Sequence, residues 1–120
     1  TGGEDMVINP NSMRTEKITS MRGGKGEVHI LHLVEKQALL GKSRFFARLS
    51  VKPASSIGQH KHENEFEIFY ILSGKGVFND NGTPIPIQAG DVCFTGPGES
   101  HSIENTSQED LELLAIIVLL

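Results

Sequence analysis

The sequence predicts an all-β domain, and three observations carry that prediction. From Glu27 onward, short segments that are apolar or alternate apolar with polar are each closed by Gly, Pro, Asn or Asp. That is the strand-and-turn signature of a sandwich or barrel. No apolar stripe recurs at helical spacing over a useful length, and Asn81-Gly82 marks a two-residue hairpin turn in which both residues take positive φ.

The strands follow in order. EVHILHLV (Glu27 to Val34) alternates, RFFARLSV (Arg44 to Val51) is apolar apart from Arg44, Arg48 and Ser50, and EKQALLGK between them holds at most a helical turn. FEIFYIL (Phe66 to Leu72) is apolar on both faces, with Phe66, Ile68, Tyr70 and Leu72 on one and Phe69 and Ile71 behind Glu67 on the other. A strand of that kind lies between sheets or backs a subunit interface, so a homodimer is expected. GVFND (Gly76 to Asp80) pairs with TPIPIQ (Thr83 to Gln88) across the Asn81-Gly82 turn. Pro84 and Pro86 lack the amide a central strand donates, which places TPIPIQ at an edge or bulge with Ile85 and Ile87 inward. DVCFT (Asp91 to Thr95), HSIEN (His101 to Asn105) and LELLAIIVLL (Leu111 to Leu120) complete the set.

A chain of 120 residues fits one core. Residues 27–120 are expected to form a single domain, and residues 1–26 an extension that is partly disordered or adds an edge strand. TGGED, Thr1 to Asp5, shows no periodicity and reads as a non-native addition or a disordered end. A net charge of −4 argues against nucleic acid, which calls for clustered Lys and Arg, and in favour of a small molecule or a protein as partner, with a small molecule expected in the barrel. The run from Leu111 to Leu120 contains Glu112 and falls short of the roughly 20 residues of a membrane span. The lone Cys93 makes no internal disulfide, and no charged segment followed by an apolar one opens the chain. The expected location is cytoplasmic.

GQHKHENEFEIFYILSG, Gly58 to Gly74, sets two histidines and three glutamates before an apolar run. A period of two puts His60 and His62 on one face of a strand, roughly 7 Å apart, with Lys61 facing away. Glu67 opens the next strand, where its carboxylate folds back opposite His62. GDVCFTGPGESHSIEN then presents His101 after a Gly-Pro-Gly turn. Three neutral imidazoles and a carboxylate leave one or two positions open on a metal that prefers five or six ligands.

His-x-His alone is a weak signal, but the joint pattern is stronger. His60, His62, Glu67 and Gly74, followed by Gly90, Gly98, His101 and Asn105, resemble the two motifs of the cupin superfamily, G(x)5HxH(x)3-4E(x)6G and G(x)5PxG(x)2H(x)3N. The resemblance runs from about Lys52 to Asn105. Ala54 stands where the first motif opens with Gly, and Gly96 stands where the second has Pro, with Pro97 displaced by one. Both departures fall in turns.

The resemblance implies a double-stranded β-helix, or jelly roll, with a divalent transition metal (Mn, Fe, Ni or Zn) in the barrel mouth. It places the metal on His60, His62, Glu67 and His101, and implies dioxygenase, decarboxylase, isomerase or epimerase chemistry on a small molecule. Cupins acting on oxalate generally carry Arg or Asn three residues before the first motif histidine; Ile57 occupies that position here, which disfavours oxalate. The alternative is a non-catalytic ligand-binding or sensing module.

The remaining candidates read more plainly. His29 and His32 are three apart on one strand and face opposite sides. Cys93 reads as an inert buried thiol, and Arg48 as an anion contact in the barrel or a rim salt bridge. RGGKGE, Arg22 to Glu27, reads as a flexible lead-in rather than a phosphate loop. Glu65, Glu104 and Tyr70 are the formal acid-base candidates, although Glu65 reads first as a solvated turn carboxylate, with support of the ligands as its alternative role.

Overall fold

The structure, a computed structural model, describes residues 6–120, and the expectation for Thr1 to Asp5 lies outside them. Among the described residues ten strands run in chain order: β1 (Thr15–Thr19), β2 (Glu27–Val34), β3 (Ser43–Val51), β4 (Ser56–Lys61), β5 (Glu65–Ser73), β6 (Lys75–Asp80), β7 (Thr83–Gln88), β8 (Val92–Thr95), β9 (Ser100–Glu104) and β10 (Leu111–Leu119). They form two antiparallel sheets, ordered β1-β2-β3-β10-β5-β8 and β4-β9-β6-β7. This is the double-stranded β-helix the motifs imply.

Eight strands lie within one residue of the segments read from apolar alternation. β1 pairs with β2 at the edge of the larger sheet, and β4 pairs with β9 at the edge of the smaller. Lys36–Leu39 forms only a 3₁₀ turn. Asn81 and Gly82 both have positive φ, at 50° and 97°, and close the β6-β7 hairpin. β7 is an edge strand, as its prolines require. Ile87 is buried but Ile85 is 41 % exposed, against expectation: it stands on an edge strand, opposite Phe78 of β6 and with no strand on its other side.

The inner faces of the two sheets bury one core: Val28 and Ile30 from β2, Leu49 and Val51 from β3, Phe69 and Ile71 from β5, and Leu111 and Leu113 from β10 meet Ile57, Phe78 and Ile103 of the smaller sheet. On β5 the inward residues are Glu65, Glu67, Phe69 and Ile71, so the alternation that builds the core also carries two carboxylates inside.

RGGKGE is a docked turn rather than a flexible lead-in. Met21–Gly23 forms a 3₁₀ turn whose backbone meets β4 closely enough to exclude side chains. A Cβ on Gly24 would stand 2.3 Å from the Ser56 carbonyl oxygen, and one on Gly58 would stand 2.2 Å from that of Arg22. The Ser56 amide donates to the Lys25 carbonyl at 2.9 Å, and the Lys25 amide donates to Ser56 Oγ at 3.0 Å.

Candidate metal centre

The site lies between the sheets at one end of the barrel. β4 and β9 run antiparallel with His60 directly opposite His101, which is how residues 41 apart come together. The pairing is interrupted between Ile57 and His60. That bulge lets both residues face inward although they are three apart, where a regular strand would turn one of them out. His62 follows in the turn after β4, and Glu67 enters from β5 in the opposing sheet.

The donor atoms converge. His101 Nε2 lies 3.0 Å from His62 Nε2 and 3.1 Å from His60 Nε2, while Glu67 Oε1 lies 2.8 Å from His62 Nε2 and 3.1 Å from His101 Nε2. One donor atom from each of the four residues falls within 4.8 Å of the others. The three rings stand roughly edge to face, at 69° to 83° with centroids 4.6 to 4.8 Å apart, like blades around one point. His62, Glu67 and His101 are at most 5 % exposed. Phe69 stacks on the His101 ring at 5.0 Å and Phe78 meets it edge-on at 5.5 Å, giving the site apolar walls.

The outer nitrogens settle which atoms face inward. His60 Nδ1 donates to the Gly58 carbonyl at 2.7 Å, and His62 Nδ1 donates to Glu65 Oε2 at 2.5 Å. Both partners only accept, so in the neutral rings Nε2 is a lone pair. His101 Nδ1 meets Thr95 Oγ1 at 2.6 Å, and that hydroxyl accepts once the ring presents Nε2 inward. With all three rings neutral, three imidazole lone pairs and a carboxylate point at one another about 3 Å apart in a desolvated pocket, an arrangement that a bound cation stabilises and that without one is relieved by a proton shared between His62 and Glu67. Four donor separations of 2.8 to 3.1 Å are of the size that ligands about 2.1 Å from a common centre make. The residues therefore fit a divalent metal, and a four-residue set leaves positions open on one that takes five or six ligands.

The surrounding charges are ordered to match. Arg44 holds Glu65 by two hydrogen bonds of 2.8 Å, and Glu65 in turn holds His62. Arg44, and next His62 against the opposing effect of burial, keep the Glu65 carboxyl down at about 2. Burial pushes His60 down to about 4, opposed by the Gly58 carbonyl. Glu67 is pushed up by burial, but hydrogen bonds from His101 and His62 outweigh this and leave it lowered. His62 is raised, chiefly by its bond to Glu67, against burial and with help from Glu65.

A cavity of about 60 Å³ opens beside the cluster, lined by His60, His62 and Glu67, by Arg22 and Arg44, and by apolar side chains that include Ile57, Leu49 and Phe69. Arg48 does not line it. That residue sits on the outer face of the larger sheet, 3.5 Å from Glu112, in an open groove it shares with His29. His32 is buried against Phe45 and bonds Glu16, and burial pushes the Cys93 thiol up to about 11. Asn105 is a latch: its amide nitrogen donates to the carbonyls of Val51 and Glu109, and its oxygen accepts from Ser107. Arg22, Arg44 and Thr95 are neighbours of the site that the sequence reading did not place there, because only the docking of the Met21–Gly23 turn on β4 and the packing of one sheet on the other bring them in.

The family model described as Cupin domain matches residues 47–117, and the chain belongs to the cupin family. It is 59 % identical over 118 residues, 98 % of each chain, to a protein of Thermotoga maritima named oxalate-binding protein. The solved structure of a predicted oxalate decarboxylase from Thermotoga maritima superposes with a TM-score of 0.91 at 60 % identity, covering 96 % of this chain and all of that one. A polyketide cyclase of Streptomyces resistomycificus, 20 % identical, superposes with a TM-score of 0.76 over 95 % of this chain and 79 % of its own, a likeness of fold alone.

Proposed function

We propose that the protein is a metal-dependent receptor for a small carboxylate, with oxalate the first ligand to test, and that His60, His62, Glu67 and His101 hold the metal. The observation that carries this reading is the cavity of about 60 Å³ that opens onto the four-residue cluster at His60, His62 and Glu67 among largely apolar walls. The volume suits a ligand of a few heavy atoms. A divalent Mn, Fe, Ni or Zn at the four donors supplies a Lewis-acidic centre for an oxygen ligand. The chain's own residues fix the ligand rings through Gly58, Glu65 and Thr95, and exclude water with Phe69 and Ile57.

Ile57 lines the cavity, so the motif position that disfavours oxalate does face the site. Arg22 and Arg44 nevertheless line the same cavity from outside the motif, and the relative sharing 59 % of its residues carries oxalate in its name. Both points support a small carboxylate despite Ile57.

Binding is favoured over acid-base turnover by the placement of the candidate catalytic groups. Glu65 is committed to Arg44 and His62, while Tyr70 and Glu104 are exposed and absent from the cavity lining. Decarboxylase or dioxygenase chemistry at the metal remains the second reading, favoured by the open coordination positions that a four-residue ligand set leaves. Calorimetric titration with Mn(II), then of the loaded protein with oxalate, tests the first reading: one metal per chain and oxalate binding only to the loaded form are expected. Loss of oxalate or uptake of oxygen on prolonged incubation would move the assignment to the second.

We further propose a cytoplasmic homodimer. The outer face of β5 and β8 leaves Tyr70 44 %, Val92 62 % and Phe94 58 % exposed beside Phe66, a contiguous apolar patch of the kind that marks an interface. Light scattering is expected to give twice the chain mass, falling to one chain for Phe94→Glu.

A further inference from the structure

We propose that Arg22 is the charge-selecting residue of this site, pairing with the second carboxylate of a dicarboxylate whose first carboxylate the metal holds. The inference rests on the reading of the cavity as a carboxylate site and extends it by naming the side chain that separates dianions from monoanions.

Two arginines line the cavity, and they are in opposite states. Arg44 spends its guanidinium on the two Glu65 oxygens, both at 2.8 Å. Arg22 lines the same cavity beside Ile57 and His60, and among the described residues it makes no ion pair. Its side chain is exposed, which places it at the mouth rather than deep in the barrel. A planar guanidinium matches a carboxylate with two parallel hydrogen bonds, which a lysine ammonium cannot reproduce.

The backbone beneath Arg22 is built to hold it there. Ser20 and Arg22 both take left-handed conformations, with φ of 55° and 54°, which disfavour non-glycine residues by about 1 to 2 kcal/mol each. Such conformations persist only where surroundings over-determine them. The turn is closed by Gly23 donating to Ser20 and Gly24 donating to Met21, at 3.0 and 2.9 Å, and the side-chain-free approach of Gly24 and Gly58 clamps it onto β4 two residues before His60. Gly23 itself has nothing within 4 Å of its missing Cβ, so the close fit is confined to the clamped side. A glycine at position 22 suits this backbone better than arginine does, so the side chain, and not the turn, accounts for the residue.

The experiment uses Mn(II)-loaded protein titrated calorimetrically with oxalate and with acetate, for the wild type and for Arg22→Gln, Arg22→Lys and Arg22→Gly. Loss of one charge-assisted pair is expected to weaken oxalate by about 10- to 100-fold in Arg22→Gln, with acetate and Mn(II) affinity unchanged. Arg22→Lys recovers part of the oxalate affinity. Arg22→Gly loses the same affinity while its melting temperature holds or rises, because the left-handed strain is relieved; a purely structural role for Arg22 would lower it. Wild-type oxalate affinity in Arg22→Gln overturns this inference and leaves the carboxylate reading intact. Failure of the loaded wild type to bind oxalate overturns both.

Discussion

Ala54 is held in a left-handed conformation, φ 60°, with its side chain exposed in the turn between β3 and β4. The residue packs against nothing that a smaller side chain would lose, so Ala54→Gly is expected to stabilise the fold by about 1 kcal/mol, read by urea denaturation. This is also the position where the family motif carries glycine. Gly96, the other departure, has a positive reason: its amide donates to Glu99 Oε1 at 2.6 Å, a bond proline cannot make. At the cluster and the residues that support it the pH dependence divides by sign. His60 is depressed to about 4 and Glu65 to about 2. Each contributes stability that is present above its unfolded pKa and is lost as pH falls through the folded value. The metal-free fold should therefore weaken in two stages, from about pH 6.5 toward 4 and from about pH 4.5 toward 2. His62 is raised, so its contribution to the metal-free fold is full below its unfolded value and is lost as pH rises through the folded one. A metal must displace that proton. Titrations in buffers of different ionisation enthalpy are expected to show proton release on metal binding that shrinks as pH rises, and no release at any pH would contradict the assignment of His62 Nε2 as a ligand atom.

Among the elements, β4 decides the site. Its bulge turns Ile57 and His60 to the same side, its Gly58 carbonyl orients His60, and its missing side chain at Gly58 admits the Arg22 turn. Gly58→Ala would place a methyl group 2.2 Å from the Arg22 carbonyl and 2.8 Å from the Gly24 amide nitrogen, so one of the two backbones must move. The expected outcome is destabilisation of about 1 to 3 kcal/mol in urea, together with faster amide exchange at Gly24 and Lys25; wild-type values for both would mean the clamp is not tight. β4 is also the strand that sequence alternation conceals. SIGQHK has one apolar residue at its inner face and histidine at the next inward position, with the bulge between them breaking the period of two. β1, TEKIT, hides for a related reason, having only Ile18 to bury. The other eight strands are legible, because each carries apolar residues in alternation or is bounded by turn residues. The four converging side chains are legible too, because motif spacing records them. Arg22, Arg44 and Thr95 are not, since they meet the cluster only through pairing and packing between distant segments.

For the molecule as a whole, the cluster puts four electron-rich groups between the two sheets, three of them buried, and folding and metal binding are then linked. With free metal at about 100 times its dissociation constant the linkage contributes about 2.7 kcal/mol, on the order of 10 °C in melting temperature, and chelation should remove it. His101→Ala should abolish the shift. The central claim, a metal that holds a small carboxylate, is tested most directly by calorimetric titration of oxalate into the same preparation before and after loading with Mn(II). The account predicts one metal per chain and oxalate binding in the loaded protein alone. Failure to take up Mn, Fe, Ni or Zn, or equal oxalate binding with and without metal, would contradict it.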